Sequence, residues 1–171
     1  MLATWQFAAI LVAGAGCASD VLTRRVPNAL TMSASAGAVG FWLITGGWSA
    51  AAWSLGGWTL GLLLFLPLFA LRGMGGGDVK LLAALGAWVG PGLVVWLALY
   101  AAIAGGVLAL VVALVHGSAR QALANVRSML TFWRIAGLRP HPAFTLESST
   151  AARLPYALPI AAGLGLALWL R

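Results

Sequence analysis

The sequence predicts an all-α fold, a polytopic integral membrane bundle of about six transmembrane helices. Composition is the first reason: 62% of the 171 residues are hydrophobic and 8% are charged. A soluble domain carries about 25% charged residues, so this chain has too few to coat a water-facing surface. The second reason is the recurrence of long uncharged runs, since about 18 apolar residues suffice to cross a bilayer. Mean hydropathy is accordingly high, at +0.98. The third is the placing of the basic residues, which fall between the apolar runs. The length suits a single membrane domain over 1–171, and the nine tryptophans fit the interfacial enrichment of that residue.

The first span is expected near 2–19. No Lys or Arg precedes this run, and ahead of the lipoprotein-like Gly16-Cys17 pair Gly14 stands where a larger apolar residue is usual, so it reads as a retained span and not as a cleaved signal. Arg24 and Arg25 follow it, and Pro27-Asn28 suit the opening turn of a second span over 29–46. After the uncharged Gly46-Gly47 break, a third span runs over 50–71 and ends at Arg72. From Leu81 to Val115 there is no charge at all. One helix over that stretch would be about 52 Å long, well beyond a hydrocarbon core of about 30 Å. Gly90-Pro91-Gly92 divides it, which gives a short fourth span at 79–89 and a fifth at 93–115. A sixth is expected over 154–170. The charged loops then alternate with uncharged ones. The positive-inside rule places both termini outside and the three basic loops in the cytoplasm, with Arg171 as the exception.

Residues 117–153 form the one sizeable polar segment. Leu123, Val126, Leu130 and Trp133 recur there at helical spacing, with Arg120, Arg127 and Arg134 on another side. An amphipathic helix on the cytoplasmic leaflet is expected, with Ser118 as its N-cap. The net charge of +7 is therefore assigned to orientation and to contact with anionic membrane lipids, and nucleic acid is not expected as a partner because no basic soluble module exists. The single cysteine, Cys17, excludes an internal disulfide and a Cys-based zinc site. His116 and His141 lack an acid spaced for a metal, so no metal and no cofactor are expected.

Only three acids occur: Asp20, Asp78 and Glu147. Glu147 sits among Ser148, Ser149 and Thr150 and reads as solvated. Asp20 and Asp78 each stand where an apolar span meets a cytoplasmic loop, and ionisable groups at membrane depth point to function. Two carboxyls in one site can divide a proton, one acting as base toward water and the other as acid toward a peptide carbonyl. A structural alternative pairs Asp20 with Arg24, and Asp78 with Lys80 or Arg72. Asp78 closes Gly73-Met74-Gly75-Gly76-Gly77-Asp78, with four glycines in the five preceding positions. Such a run is not expected to be helical, and it admits backbone torsions and close approaches that side chains forbid. It ends in Asp-Val-Lys and so lacks the Gly-Lys-Ser/Thr of a phosphate loop. Lys80 is expected to snorkel to the interface.

Gly75-Gly76-Gly77-Asp78-Val79-Lys80-Leu81 resembles the GxGD motif of prepilin peptidases. Asp20, followed by Arg24-Arg25-Val26-Pro27-Asn28, resembles their first aspartate motif, and Arg153-Leu154-Pro155-Tyr156-Ala157-Leu158-Pro159 is similar to the segment that opens their last span. The order of the three is the family's, and with one cysteine the chain looks like the compact Flp/Tad type. The resemblance implies an aspartyl endopeptidase that removes the basic leader from a type IV-like prepilin at the cytoplasmic face of a bacterial inner membrane. Asp20 and Asp78 would be its catalytic pair, and Gly75, Gly76 and Gly77 its substrate loop. Two other classes stay compatible with the residues themselves: a small transporter binding a proton or cation at the aspartates, and a non-catalytic component of a pilus or secretion machine.

Overall fold

The computed structural model describes residues 3–137, 139 and 155–170. The expectations for His141, Glu147, Arg153 and the start of the last span lie outside the described residues. Five helices follow in order among those described: α1 (Thr4–Thr23), α2 (Asn28–Ala70), α3 (Gly76–Val115), α4 (Ala119–Ala136) and α5 (Ala157–Trp169). Three of them, α1, α2 and α3, are long and apolar enough to cross a membrane by length and composition, not six. The expected pairs 29–46 with 50–71, and 79–89 with 93–115, are each joined into one helical element. The expected breaks are present inside them as single non-helical glycines, Gly47 (φ 70°) and Gly90 (φ 78°).

At both glycines the chain reverses. Trp58 Nε1 donates to Ser35 Oγ at 3.2 Å, and the rings of Trp42 and Trp53 meet at 5.2 Å. In a continuous helix residues 35 and 58 would be about 35 Å apart, so α2 is two antiparallel arms. In α3 a Cβ on Gly86 would lie 3.0 Å from Val94 Cγ2, eight residues on, which requires the same reversal. Positive φ explains why glycine stands at each hinge. Pro91 then opens the second arm of α3, where its fixed φ suits a first helical position.

The first arm of α3 is the centre of the bundle. Every residue from Leu81 to Gly90 is buried, as expected of a helix that is apolar all round. The buried residues of α1 are small or acidic, Ala9, Ala13, Gly16 and Asp20, with Trp5 and Val12 packed beside them at the edge of the core. Around the arm, glycine removes the side chain where backbones meet. A Cβ on Gly57 would overlap the Gly86 carbonyl oxygen, and one on Gly61 would lie 2.8 Å from the Leu82 carbonyl oxygen. Lipid tails are as apolar as leucine, so membrane helices depend on such close van der Waals packing.

Breaking α3 at Gly90-Pro91 leaves carbonyls at the end of the buried arm without helical partners. Pro91 has no N–H to offer Ala87, four residues back. Ser54 supplies the donor instead: fully buried, its Oγ reaches the Ala87 carbonyl at 2.7 Å. Trp42 Nε1 donates to the neighbouring Trp88 carbonyl at 3.3 Å.

α4 is a helix, as its periodicity suggested, with Leu123, Val126 and Leu130 exposed along one face. Ser118 occupies its N-cap position but makes no side-chain cap; its Oγ donates backwards to the Ala113 carbonyl at 3.3 Å. Ser118 has φ −100° and ψ 11° instead of the extended backbone of a capping serine.

Ser54→Ala should destabilise the protein by about 1–2 kcal/mol, the cost of orphaning a buried carbonyl. Ser49→Ala, which removes an exposed hydroxyl, should be neutral. Thermal unfolding of both variants in one detergent checks the difference.

Candidate active site

α1 ends at Asp20. Arg24 adopts the left-handed conformation (φ 54°) and its N–H closes the helix on the Asp20 carbonyl at 2.8 Å. Ser19 Oγ and Thr23 Oγ1 both donate to the Arg25 carbonyl, at 2.9 and 3.1 Å. The turn that follows is thereby held against the helix end, and Pro27 caps α2 with Asn28 as its first residue, as the Pro-Asn pair suggested. The Asp20 side chain points inward and is 8% exposed. Its carboxylate does not depend on Arg24: Oδ2 accepts the Ala157 N–H at 3.2 Å. That N–H belongs to the first turn of α5, one of the donors a helix leaves without internal partners and the positive end of its dipole. A buried acid thus closes one helix and receives the start of another.

The glycine run departs from expectation. Gly76 and Gly77 are the first residues of α3, with Gly75 as N-cap in an extended conformation (φ −73°, ψ 144°). None of Gly73, Gly75, Gly76 or Gly77 has positive φ; the left-handed residue there is Arg72, at φ 57°. Torsional freedom is therefore not what these glycines supply. Their missing side chains are. A Cβ on Gly77 would lie 3.2 Å from Val26 Cβ, with the Val26 backbone behind it at 3.5 Å. One on Gly76 would meet the Phe69 ring at 3.3 Å, and one on Gly75 would lie 3.1 Å from Asp78 Oδ2. The backbone that approaches Gly77 belongs to the chain's own turn between α1 and α2.

Asp78 stands in the first turn of α3. Its own N–H bonds to the Gly75 carbonyl at 3.2 Å, and its carboxylate lies back against Gly75. The two aspartates come within electrostatic range of each other, and Tyr156 comes within range of Asp78. Asp78 is partly buried. Lys80 does not pair with Asp78 in the structure; its Nζ reaches Asn28 Oδ1 at 2.9 Å. That contact joins the start of α2 to the start of α3, beside the seat of Val26 on Gly77.

The structure therefore gathers Asp20, Asp78 and Gly75 to Gly77 at one end of the bundle. Glu147 lies outside the described residues. Among those described, no group of three His, Cys, Asp or Glu is placed to hold a metal ion. Val26 and Ala157 stood in the motifs without a role of their own, because the contact of Val26 with Gly77 is steric and the Ala157 N–H carries no side-chain signal. Tyr156 was legible only as part of the segment opening the last span. It packs edge-on to Phe65 at 6.0 Å, and it occupies the space that a side chain on Gly105 would need. Two carboxyls within electrostatic range of each other are the chemistry that divides one proton between an acid and a base.

Searches of curated proteins and of solved structures each gave no match. A family model, that of the type IV leader peptidase family, matches residues 7–110, more than half of the chain, and spans both aspartates and the glycine run. The chain belongs to the type IV leader peptidase family.

Proposed function

We propose that this membrane protein is an aspartyl endopeptidase that cleaves the basic leader from a type IV-like prepilin, of the Flp/Tad kind, at the cytoplasmic face. One observation carries the reading. Asp20 and Asp78, the two acids at the ends of apolar spans, come from separate helices and share one end of the bundle. In the proposed reaction one carboxylate takes a proton from water as the water oxygen attacks the scissile carbonyl carbon. The other, protonated, donates to the carbonyl oxygen. Collapse of the tetrahedral intermediate breaks the C–N bond, and the departing amine takes up a proton from the pair. Leader carboxylate and mature amine are the products, and no co-reactant besides water is consumed.

The same reading takes each arm of α2 and α3 as a separate crossing and places both termini outside. It is supported by the uncharged hinges at Gly47 and Gly90 and by Arg24, Arg25 and Arg72 at the aspartate end.

Asp20→Asn and Asp78→Asn should each reduce leader cleavage to background while the protein still inserts, because one carboxyl cannot serve as both acid and base. Cleavage of a purified prepilin by either variant at more than a few per cent of the parent rate would return the chain to the scaffold reading.

Gly75→Ala and Gly77→Val should differ in kind. The methyl group of the first presses on Asp78 Oδ2 alone, so cleavage should fall about 10- to 100-fold, as misplacement of a reacting group does, with thermal stability unchanged. The second drives a branched side chain into Val26 and the turn beside Asp20, so activity and stability should fall together. Cleavage and unfolding read on the same samples decide this, and a stable but inactive Gly77→Val protein would show that the steric argument is wrong.

A further inference from the structure

A groove of about 630 Å³ runs between the two arms of α2, with Asn28 and Lys80 at one end and Val39 and Leu55 toward the other. Its hydroxyls are already engaged. Thr31 Oγ1 donates to the Asn28 carbonyl and Ser35 Oγ to the Thr31 carbonyl, while Ser35 Oγ also accepts from Trp58 Nε1. What remains is an apolar trough that ends in one cation. Lys80 is exposed, and its bond to the Asn28 amide oxygen leaves the charge unneutralised, because that partner is neutral.

Two features identify the occupant. From Asn28 to Val39 the groove is about 16 Å long, at 1.5 Å per residue. That is half of a hydrocarbon core of about 30 Å, the depth of one leaflet, and too short for a spanning helix. Lys80 is also two residues beyond Asp78, which places it about 200° around the helix and on the other side of α3 from the aspartates. A basic leader would in addition be repelled by Lys80. We propose that the groove is a lipid site: it holds an acyl chain of an anionic phospholipid from the leaflet on the aspartate side, with the headgroup phosphate on Lys80. The bound lipid fills the α2 hairpin. Through Lys80 and Asn28 it also braces the turn that seats Val26 on Gly77. This inference goes beyond the peptidase reading, and its test reads binding and not cleavage.

The full chain, purified in neutral detergent and stripped of lipid, is titrated with phosphatidylglycerol and with phosphatidylcholine of the same acyl chains. Bound lipid is counted by native mass spectrometry. One phosphatidylglycerol should bind about fivefold more tightly than phosphatidylcholine, the preference expected of one basic residue at an anionic surface. Lys80→Gln should remove the preference and Lys80→Arg should keep it. Arg120→Gln, on α4, should leave it unchanged. Ala36→Trp, at an exposed position lining the groove, should abolish retention of both lipids; Met32→Trp, also exposed there, should do the same and covers a failure of the first to fold. Glycerophosphoglycerol, the headgroup without chains, should not bind. Equal affinity for the two lipids overturns the proposal, as does an equal loss with Arg120→Gln. So does retention of phosphatidylglycerol by the folded groove-filling variants, or binding of the bare headgroup as tight as that of the lipid.

Discussion

Around the first arm of α3, helix backbones lie closer than any side chain would permit. Gly57 and Gly86 meet so that a Cβ on either would overlap the carbonyl of the other, Gly61 lies on Leu82, and Gly16 lies on the end of the Leu81 side chain. Farther along, Gly163 of α5 packs on the backbone of Leu97 and Ala101 in the second arm. In a bilayer the apolar surface gains little from leaving lipid, so this approach and the van der Waals contact it permits hold the bundle together. An arm enclosed in this way is a fixed post. Asp78 sits in its first turn, and Asp20 is brought to the same level by α1, which packs its small-residue face toward it.

The site continues the same logic at the membrane boundary. A buried carboxylate needs compensation, and Asp20 finds it in a free N–H at the start of α5. Asp78 lies against Gly75, the N-cap residue of its own helix, in the first turn of α3. The donor to Asp20 is a backbone amide, so that carboxyl is aimed by a part of the fold that cannot swing away. The price is steric crowding. Gly77 has Val26 against it and Gly75 has Asp78 against it, so the glycine run is a set of contacts with no room left in them.

Much of this was legible in the residues. Charge scarcity and Gly-Pro punctuation located the helical class, both hinges and the amphipathic α4, and the isolation of two acids in an apolar chain singled out Asp20 and Asp78. Helix count was less legible, because each hinge is a single non-helical glycine with helical residues on both sides, so no loop separates the arms of α2 or of α3. The glycine run misled for a related reason. Four glycines near Asp78 suggest unusual torsions, but their φ values are ordinary, and what matters is a neighbour from a distant part of the chain. The Ala157 amide and the Ser54 hydroxyl were invisible for the same cause: a donor acquires its meaning only from the carboxylate or carbonyl that the tertiary fold delivers to it.

The central claim is that Asp20 and Asp78 act together on one water. A single turnover of purified prepilin in heavy-oxygen water, with leader and enzyme then analysed by mass spectrometry, addresses it most directly. The account predicts one heavy oxygen in the new carboxylate of the released leader and none on either aspartate. Heavy oxygen on Asp20 or Asp78 would reveal a covalent intermediate, and an intact prepilin would deny the activity; either result would contradict the account.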